Sequence, residues 1–325
     1  MKQLCLASGL IAVLAACTTT SAKKDPVTPL VGPSTAPATQ AAVPPRQVAP
    51  PKIALVLGGG GARGFAHVGV LRVLVQEKIP IDLIVGTSVG SLIGALYAAN
   101  PDVFELEWKS FEIDKDDLFD YSIFSAKAGL VKGEAIKDFV RKNVKKQLIE
   151  QFPVRYIAVA TDLNNGERVE FKSGPIVDAV RASVAIPGVF SPVRVNDRLL
   201  VDGGVVANIA VDTAKANGAD IVIVSNISQR VVDYNVDDML STIMQSITIM
   251  MAEAATSQLQ HADVVVSPDI GDVGTLDFSQ KKRCTQAGIE ATQAQIANIR
   301  AAIARYYTER GGVPPAAFVS VQPSP

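Results

Sequence analysis

Short apolar runs separated by longer amphipathic stretches set the pattern of this chain. Two of these runs, Ile53–Leu57 and Ile81–Val85, are rich in Ile, Leu and Val and lack the alternation of a half-exposed strand. Runs of this kind predict strands buried on both faces of a parallel sheet. Later runs predict further strands at Val154–Ala160, Val169–Phe171, Leu199–Val201, Ile221–Val224 and Val264–Val266.

Helical patterns lie between these runs. They predict helices at Phe65–Gln76, Ser91–Ala99, Asp102–Phe111, Gly133–Leu148, Asp237–Ala255 and Ala287–Tyr306. Alternation of strands and helices is typical of an α/β fold. The chain has 325 residues, of which 48% are hydrophobic and 19% are charged, so it is long enough for one large core.

The N-terminal residues have the pattern of a secretion signal. Lys2 is followed by the apolar stretch Leu4–Ala16, which is too short to span a bilayer. The segment ends in Leu14-Ala15-Ala16-Cys17, which resembles the lipobox of bacterial lipoproteins. That resemblance implies removal of residues 1–16, lipidation of Cys17 and a lipid anchor in the cell envelope. The alternative is ordinary secretion with cleavage at a small residue.

The segment after Cys17 is predicted to be a tether. By the same resemblance to lipoproteins, Thr18 as the residue after the lipidated cysteine implies that the protein is located at the outer membrane. Residues 18–51 contain eight prolines and few large apolar side chains. A Pro-rich chain extends by about 3.1 Å per residue, so this segment would reach up to roughly 100 Å. We therefore expect a lipidated Cys17 and tether at 17–51, a folded domain at 52–310 and a Pro-rich tail at 311–325.

Charge and cysteine content exclude several partners and bonds. The formal net charge is −1, which gives no electrostatic case for nucleic acid or for strong attraction to anionic lipid. Cys5 lies in the predicted signal and Cys17 would carry lipid, which leaves Cys284 alone in the mature domain. An intrachain disulfide is therefore not expected, and Cys284 is interpreted as a packing residue.

A G-x-S-x-G motif follows the second predicted strand. It consists of Gly86, Thr87, Ser88, Val89 and Gly90, and a helical pattern comes next. A serine at a sharp strand-to-helix turn projects its hydroxyl above the sheet, and the flanking glycines remove Cβ atoms that would clash. This context favours a nucleophile, while a simple Gly-Ser turn remains the alternative.

A glycine-rich loop follows the first predicted strand. After Gly58 it comprises Gly59, Gly60, Gly61, Ala62, Arg63 and Gly64. Backbone N–H groups of such a loop at a helix N-terminus bind negative charge. A dinucleotide fold would need an acidic residue at the end of the next strand, where Ser88 stands instead. The other interpretation is an oxyanion hole for a carbonyl attacked by Ser88.

Asp202-Gly203-Gly204 is the third candidate motif. Asp-Gly is a common turn pair, but Asp202 also follows an apolar strand and precedes two glycines, which allow other backbone or side chains to approach Asp202 closely. The chain has two histidines, His67 and His261, and neither lies in a context that favours a catalytic base. Asp202 is left as the candidate base, with a pKa raised by burial.

The three motifs in this order resemble the signature of the patatin-like phospholipases. Ala182–Phe190 resembles that family's segment between nucleophile and aspartate. The resemblance covers about residues 53–225 and implies a three-layer α/β/α fold with a mostly parallel central sheet. It also implies lipid acyl hydrolysis with Ser88 as nucleophile, Asp202 as its partner and the glycine loop as oxyanion hole. No metal or cofactor is implied, and Ala210 stands where the family usually has proline.

The resemblance leaves the substrate open. The expected activity is hydrolysis of carboxylic esters of lipids through an acyl-enzyme, of phospholipase A or lysophospholipase type. The alternatives are an esterase or thioesterase for soluble substrates and a catalytically idle lipid-binding scaffold. Four methionines in the predicted helix Asp237–Ala255 would suit an acyl-chain groove, although core filling is the favoured interpretation.

Overall fold

A computed structural model describes residues 47–118, 131–228, 237 and 239–318. The predicted signal, Cys17, most of the tether and the end of the tail lie outside these residues. Most of Asp114–Leu130, a stretch without clear periodicity, also lies outside them. The described residues belong to one compact unit. None of the helices described is long and apolar enough to cross a membrane.

One mixed sheet forms the centre of the molecule. Its strands are β1 (Ile53–Leu57), β2 (Leu83–Thr87), β3 (Arg155–Asp162), β4 (Arg168–Phe171), β5 (Val193–Val195), β6 (Arg198–Asp202), β7 (Ile221–Ser225) and β8 (Val264–Val266). The spatial order is β5-β6-β3-β2-β1-β7-β8, and β4 also pairs with β3. Strands β1, β2, β3, β7 and β8 are parallel, while β4, β5 and β6 form antiparallel pairs at one side.

Helices connect the strands. They are α1 (Phe65–Gln76), α2 (Val89–Ala99), α3 (Val103–Glu112), α4 (Lys115–Leu118), α5 (Glu134–Asn143), α6 (Ile176–Ser183), α7 (Gly204–Ala207), α8 (Val211–Ala216), α9 (Met239–Leu259) and α10 (Lys281–Glu309). Short 3-10 turns lie at Gly61–Gly64, Ile149–Gln151, Phe278–Gln280 and Ala316–Phe318.

The two faces of the sheet are covered by different helices. On β1, Leu55 and Leu57 point into the larger core with α1, α2 and α10, whereas Ala54 and Val56 point into a second core with α8 and α9. This alternation follows from the two-residue period of a strand, and both sides are apolar because both are buried. The predicted three-layer α/β/α fold with a mostly parallel sheet is therefore confirmed.

Several element boundaries differ from the sequence prediction; α10, for example, begins at Lys281 rather than at Ala287. The helix predicted over Gly133–Leu148 ends at Asn143, because Val144 adopts an extended conformation and Leu148 bridges to Pro175. Lys145 and Lys146 therefore lie beyond the end of α5. At the ends of the domain, Val48 and Phe318 pack against the large core, so packed residues lie beyond the predicted bounds of 52 and 310.

Candidate active site

Strand register brings Ser88 and Asp202 to the same place. Thr87, the last residue of β2, pairs with Val159 on β3, and the next residue of β3, Ala160, pairs with Asp202 at the end of β6. Ser88 directly follows Thr87, so the two candidate residues lie near each other across the end of β3. Because β1 pairs in parallel with β2, the glycine loop leaves the sheet at the same edge.

Ser88 stands at a strained turn. Its φ is 54° and its ψ is −128°, in the left-handed half of conformational space that L residues rarely adopt. A Cβ on Gly90 would overlap the Leu57 carbonyl, and one on Gly86 would lie 2.5 Å from the Gly90 carbonyl oxygen. Gly90 is thus required for the close approach of α2 to β1, and Gly86 for the close approach of α2 to β2, as expected for a nucleophile elbow.

Ser183, to which no motif gave a role, holds this turn in place. The Ser88 backbone N–H donates to Ser183 Oγ at 3.0 Å, and Ser183 Oγ donates to the Val159 carbonyl at 2.6 Å. Two residues further on, the Ala185 carbonyl accepts from the Asp202 N–H at 3.0 Å. The segment that begins at the end of α6 therefore fixes the backbones of both candidate catalytic residues.

Asp202 is a buried carboxylate of which only one oxygen accepts a hydrogen bond from the described residues. Oδ1 accepts from the Gly204 N–H at 2.7 Å, whereas Oδ2 is buried and has no hydrogen-bond partner in the described part of the chain. Burial raises the pKa of this carboxyl to about 7, a rise that the nearby Ser88 hydroxyl and the Gly204 N–H partly oppose. The open oxygen is available to take a proton near neutral pH.

The glycine loop presents fewer free N–H groups than the sequence suggested. The Gly59 N–H donates to Asn208 Oδ1 at 3.0 Å, and the Ala62 N–H donates to the Thr275 carbonyl at 2.8 Å. Within the described residues, the N–H groups of Gly60 and Gly61 have no acceptor. These two are the donors that remain for an oxyanion in the cavity.

Arg63 orients the peptide between these two glycines. Its Nε donates to the Gly60 carbonyl at 3.0 Å, and its backbone N–H approaches the same oxygen at 3.3 Å. Because a trans peptide points its C=O and N–H in opposite directions, holding the Gly60 carbonyl turns the Gly61 N–H away from Arg63. Burial lowers the pKa of Arg63 to about 10, so the guanidinium stays charged at neutral pH.

Asn208 is a further residue that the motifs did not mark. Besides accepting from Gly59, it donates from Nδ2 to Ser228 Oγ at 3.1 Å, and it is almost fully buried. It thus joins the glycine loop, the turn after Asp202 and the segment after β7. The sequence shows no local signal for this role, because its partner Gly59 is 149 positions away.

His67 is held as a neutral structural residue. It is fully buried, with Nδ1 2.7 Å from Ser225 Oγ and Nε2 2.9 Å from the Gly58 carbonyl. A carbonyl only accepts, so Nε2 carries the proton and Nδ1 accepts from the serine. Burial lowers the pKa of His67 to about 4. With both nitrogens engaged, this imidazole supports the glycine loop and has no free position for Ser88.

The buried imidazole predicts an acid-dependent loss of stability. Between about pH 6.5 and pH 4 the unfolded chain binds a proton at His67 that the folded protein does not, so stability falls as the pH is lowered through this window. The full effect of such a shift is about 3 kcal/mol. We expect the free energy of unfolding of wild type relative to His67→Gln, measured with urea, to fall as the pH is lowered from about 6.5 to 4. Equal pH dependence in the two proteins would contradict the assignment.

A partly open cavity brings the candidate residues together. Its wall includes Gly59, Gly60, Gly61, Arg63, Ser88, Asp202 and Asn208.

His261 does not line the cavity and is exposed at the end of α9. Asp82, the acidic residue of the segment before Ser88, lies at the opposite end of β2, where its carboxylate accepts from the Ile53 N–H. The described residues contain no group of three His, Cys, Asp or Glu side chains placed to hold a metal ion.

One side-chain prediction from the sequence is corrected here, and a second is supported. Core filling was favoured for the α9 methionines, yet Met239 and Met250 are 80% and 56% exposed and Met251 lines the cavity. Cys284 is free and buried in the core, and burial raises its pKa to about 11, in keeping with a packing residue. Helix α9 therefore belongs to the site rather than to the core alone.

Gly60 is the position at which the proposed oxyanion donors are best tested. Gly61 has a φ of 59° and a Cβ there would overlap the Thr275 carbonyl, so a substitution such as Gly61→Val would strain the fold. A Cβ on Gly60 instead meets the end of the Ile227 side chain, with Cδ1 at 2.8 Å.

We expect Gly60→Ala to lower turnover by about 10²- to 10³-fold, as loss of one oxyanion donor does. The added methyl would displace the loop and its N–H groups, and Gly60→Ala with Ile227→Val would restore part of the rate by making room. Initial rates on a nitrophenyl ester, with melting temperatures alongside, provide the measurement. Full turnover in a folded Gly60→Ala protein would remove the loop from the mechanism.

Comparisons with known proteins concern the family and the fold of the chain. Residues 55–215 match the family model described as patatin-like phospholipase. A Mycobacterium tuberculosis protein described as an uncharacterized NTE family protein is 41% identical over 175 residues, covering 53% of this chain and 48% of its own length. A Caenorhabditis elegans patatin-like phospholipase domain-containing protein is 32% identical over 287 residues, covering 77% of this chain and 21% of its own length.

A fungal relative and a solved structure extend the comparison. The Aspergillus fumigatus protein described as lysophospholipase nte1 is 34% identical over 174 residues, covering 52% of this chain and 11% of its own length. The crystal structure of VipD from Legionella pneumophila is similar with a TM-score of 0.50 at 16% identity, over 76% of this chain and 67% of that one. The latter likeness concerns the fold alone.

The fold and cavity define an α/β protein in which a serine elbow, a glycine loop and a buried aspartate meet. With the family model and the relatives above, the chain belongs to the patatin-like phospholipase family. The chain spans about half the length of the mycobacterial relatives that it matches.

Proposed function

We propose that this protein is a lipid acyl hydrolase that cleaves carboxylic esters with a Ser88–Asp202 dyad. The observation that carries the proposal is the buried Asp202 carboxylate, whose Oδ2 is open beside the strained Ser88 turn. The family model supports a lipid ester as substrate. The relative described as a lysophospholipase supports the same class.

The reaction proceeds in two stages through an acyl-enzyme. Ser88 Oγ attacks the ester carbonyl carbon while its proton passes to Asp202 Oδ2, and the carbonyl oxygen becomes an oxyanion facing the N–H groups of Gly60 and Gly61. Collapse breaks the bond to the alcohol, which takes the proton from Asp202. A water then attacks the acyl-enzyme and gives one proton to Asp202. The bond to Ser88 Oγ breaks as this oxygen takes the proton back from Asp202, which releases the carboxylic acid and restores the Ser88 hydroxyl.

The rate of this reaction should depend on the protonation of Asp202. Protonated Asp202 cannot accept the serine proton, so kcat/KM should rise with pH through an apparent pKa near 7, the value set by burial of the carboxyl. A profile measured on an uncharged ester isolates this group. A flat profile from pH 5 to pH 8, with the protein folded throughout, would argue against an aspartate base.

A substrate panel separates the candidate activities. The purified full chain is assayed on phospholipids, lysophospholipids, triglycerides, acyl thioesters and short nitrophenyl esters, with Ser88→Ala in parallel. Ser88-dependent release of fatty acid from a phospholipid or lysophospholipid supports the proposal. Activity confined to soluble esters or thioesters would favour the alternative esterase, and no Ser88-dependent activity would favour an idle lipid-binding scaffold.

The envelope location is a second part of the proposal. Leu14-Ala15-Ala16-Cys17 and the following Pro-rich stretch support a lipid anchor on Cys17 and a place at the outer membrane. Cys17→Ser should abolish incorporation of labelled fatty acid and leave the precursor uncleaved. A Cys17→Ser protein that is processed and fractionates with membranes as wild type does would overturn the anchor.

A further inference from the structure

The cavity is lined by two chemically different sets of residues. Polar side chains come from Arg63, Ser88, Asp202, Asn208, Ser228, Thr248 and Thr275. The rest of the lining is largely apolar and comes from Ile186, Pro187, Val205, Ile247, Met251 and Ala252. An ester of a fatty acid has the same division, because its carbonyl is polar and its acyl chain is not.

Helix α9 provides half of the apolar lining. Ile247 and Met251 are four residues apart, as are Thr248 and Ala252, so these four side chains share one stripe of the helix that faces the cavity. Residues 239–252 contain no charged side chain, and Glu253 is the first. Charge is thus kept out of the part of α9 that adjoins Ser88.

Met251 is the residue of this stripe that lies nearest to the reacting groups. A Cβ built on Gly59 would lie 3.3 Å from the Met251 methyl carbon, and one built on Gly204 would overlap that methyl. Gly59 belongs to the glycine loop and Gly204 to the turn after Asp202. The methyl therefore lies between the two segments that frame the reaction, close to where the first carbons of a bound acyl group would extend.

The fold also explains why α9 is firmly placed as a wall. Towards the C-terminus of α9, Ala255 is buried in the second core, the one that α8 and α9 form with the sheet, and Leu259 packs beside it. Gln258 accepts from the Ile209 N–H at 2.9 Å and donates to the Val206 carbonyl at 3.2 Å. These contacts tie the helix to the chain that follows Asp202.

We propose that the cavity face of α9 is the binding site for the acyl chain, and that Met251 and Ala252 determine its fit. This inference rests on the proposed function and specifies which part of the substrate each set of residues receives. Each methylene of the acyl chain that is buried against apolar side chains adds to the binding free energy, so a longer acyl chain should bind more tightly to this stripe of α9. Methionine suits this position because its unbranched side chain adapts to chains of different shape.

The test compares chain-length preference in variants of α9. Rates are measured on nitrophenyl butyrate and nitrophenyl dodecanoate for wild type, Ala252→Phe and Met251→Ala. Ala252→Phe fills the cavity and should lower kcat/KM for dodecanoate by about 10-fold or more relative to butyrate, within the range that apolar pockets reach. Met251→Ala should shift the same ratio by at least about 3-fold, since it removes apolar contact near the carbonyl.

Met250→Ala is the matched control, because this neighbouring methionine is 56% exposed and does not line the cavity. Its ratio of the two rates should equal that of wild type. If neither Ala252→Phe nor Met251→Ala alters the ratio in folded protein, the acyl-chain site is wrong. Ser88→Ala is assayed alongside, because butyrate hydrolysis that survives this change would contradict the proposed function itself, whatever the ratio.

Discussion

Replacing Ser88 by alanine should lower the turnover of a lipid ester by about 10⁴-fold or more, as removal of a serine nucleophile does in other hydrolases. The hydroxyl forms the covalent bond to the acyl group, and no other side chain of the cavity can take its place at the elbow. Alanine keeps the Cβ and the same backbone strain, so the melting temperature should change little. Release of fatty acid and thermal unfolding are the two measurements.

A second serine provides the control for this change. Ser246 lies on the exposed side of α9, where its Oγ bonds to the Thr242 carbonyl of the same helix. Ser246→Ala should retain wild-type turnover. A Ser88→Ala protein that is folded and keeps more than about a tenth of the wild-type rate would show that another group performs the attack.

Replacing Asp202 by asparagine should lower kcat by about 10³- to 10⁴-fold, in the range reported for loss of an active-site aspartate. Asparagine retains an Oδ1 that accepts from the Gly204 N–H, so the turn after β6 keeps its hydrogen bond. It has no group that accepts the Ser88 proton. Rates are compared at pH 8, where Asp202 of the wild type is ionised.

The same change should stabilise the protein, more at high pH than at low pH. The raised pKa of Asp202 means that the folded protein holds a proton that the unfolded chain has lost, between about pH 4 and pH 7. The stability that this group gives the wild-type fold is therefore lost as the pH rises from about 4 through 7, and the free energy of unfolding falls by up to about 4 kcal/mol. Asp202→Asn should unfold at higher urea concentration than wild type at pH 8, with a smaller difference at pH 4. A large loss of stability at both pH values would assign Asp202 a structural role.

The apolar pattern was sufficient to predict the fold because buried parallel strands carry a strong local signal. The runs at β1 and β7 agree with the structure to within one residue, and the glycine loop follows β1 as predicted. β2 begins two residues later than predicted, since Asp82 uses its N–H and carboxylate to bind Ile53 at the edge of the sheet. Helix α5 was overextended because the pairing of Leu148 with Pro175 depends on distant chain.

The candidate site was only partly visible in the sequence. Ser88, Asp202 and the glycine loop carry local motifs, whereas Ser183 and Asn208 act through partners 95 and 149 positions away. Ser183 lies within Ala182–Phe190, the segment that resembles the family's, but neither that resemblance nor any local motif gives a role to Ser183 or Asn208. Helix α9 was mistaken for core filling because methionine suits both roles, and only its position beside the glycine loop distinguishes them.

Active-site labelling tests the central claim, a Ser88–Asp202 dyad without histidine, most directly. A fluorophosphonate is incubated with wild type, Asp202→Asn and His261→Ala, and the modified peptide is identified by mass spectrometry with the rate of labelling. We expect the label on Ser88 in wild type, the same rate in His261→Ala and labelling at least about 10²-fold slower in folded Asp202→Asn. Label on a different residue, or wild-type labelling of Asp202→Asn, would contradict the dyad.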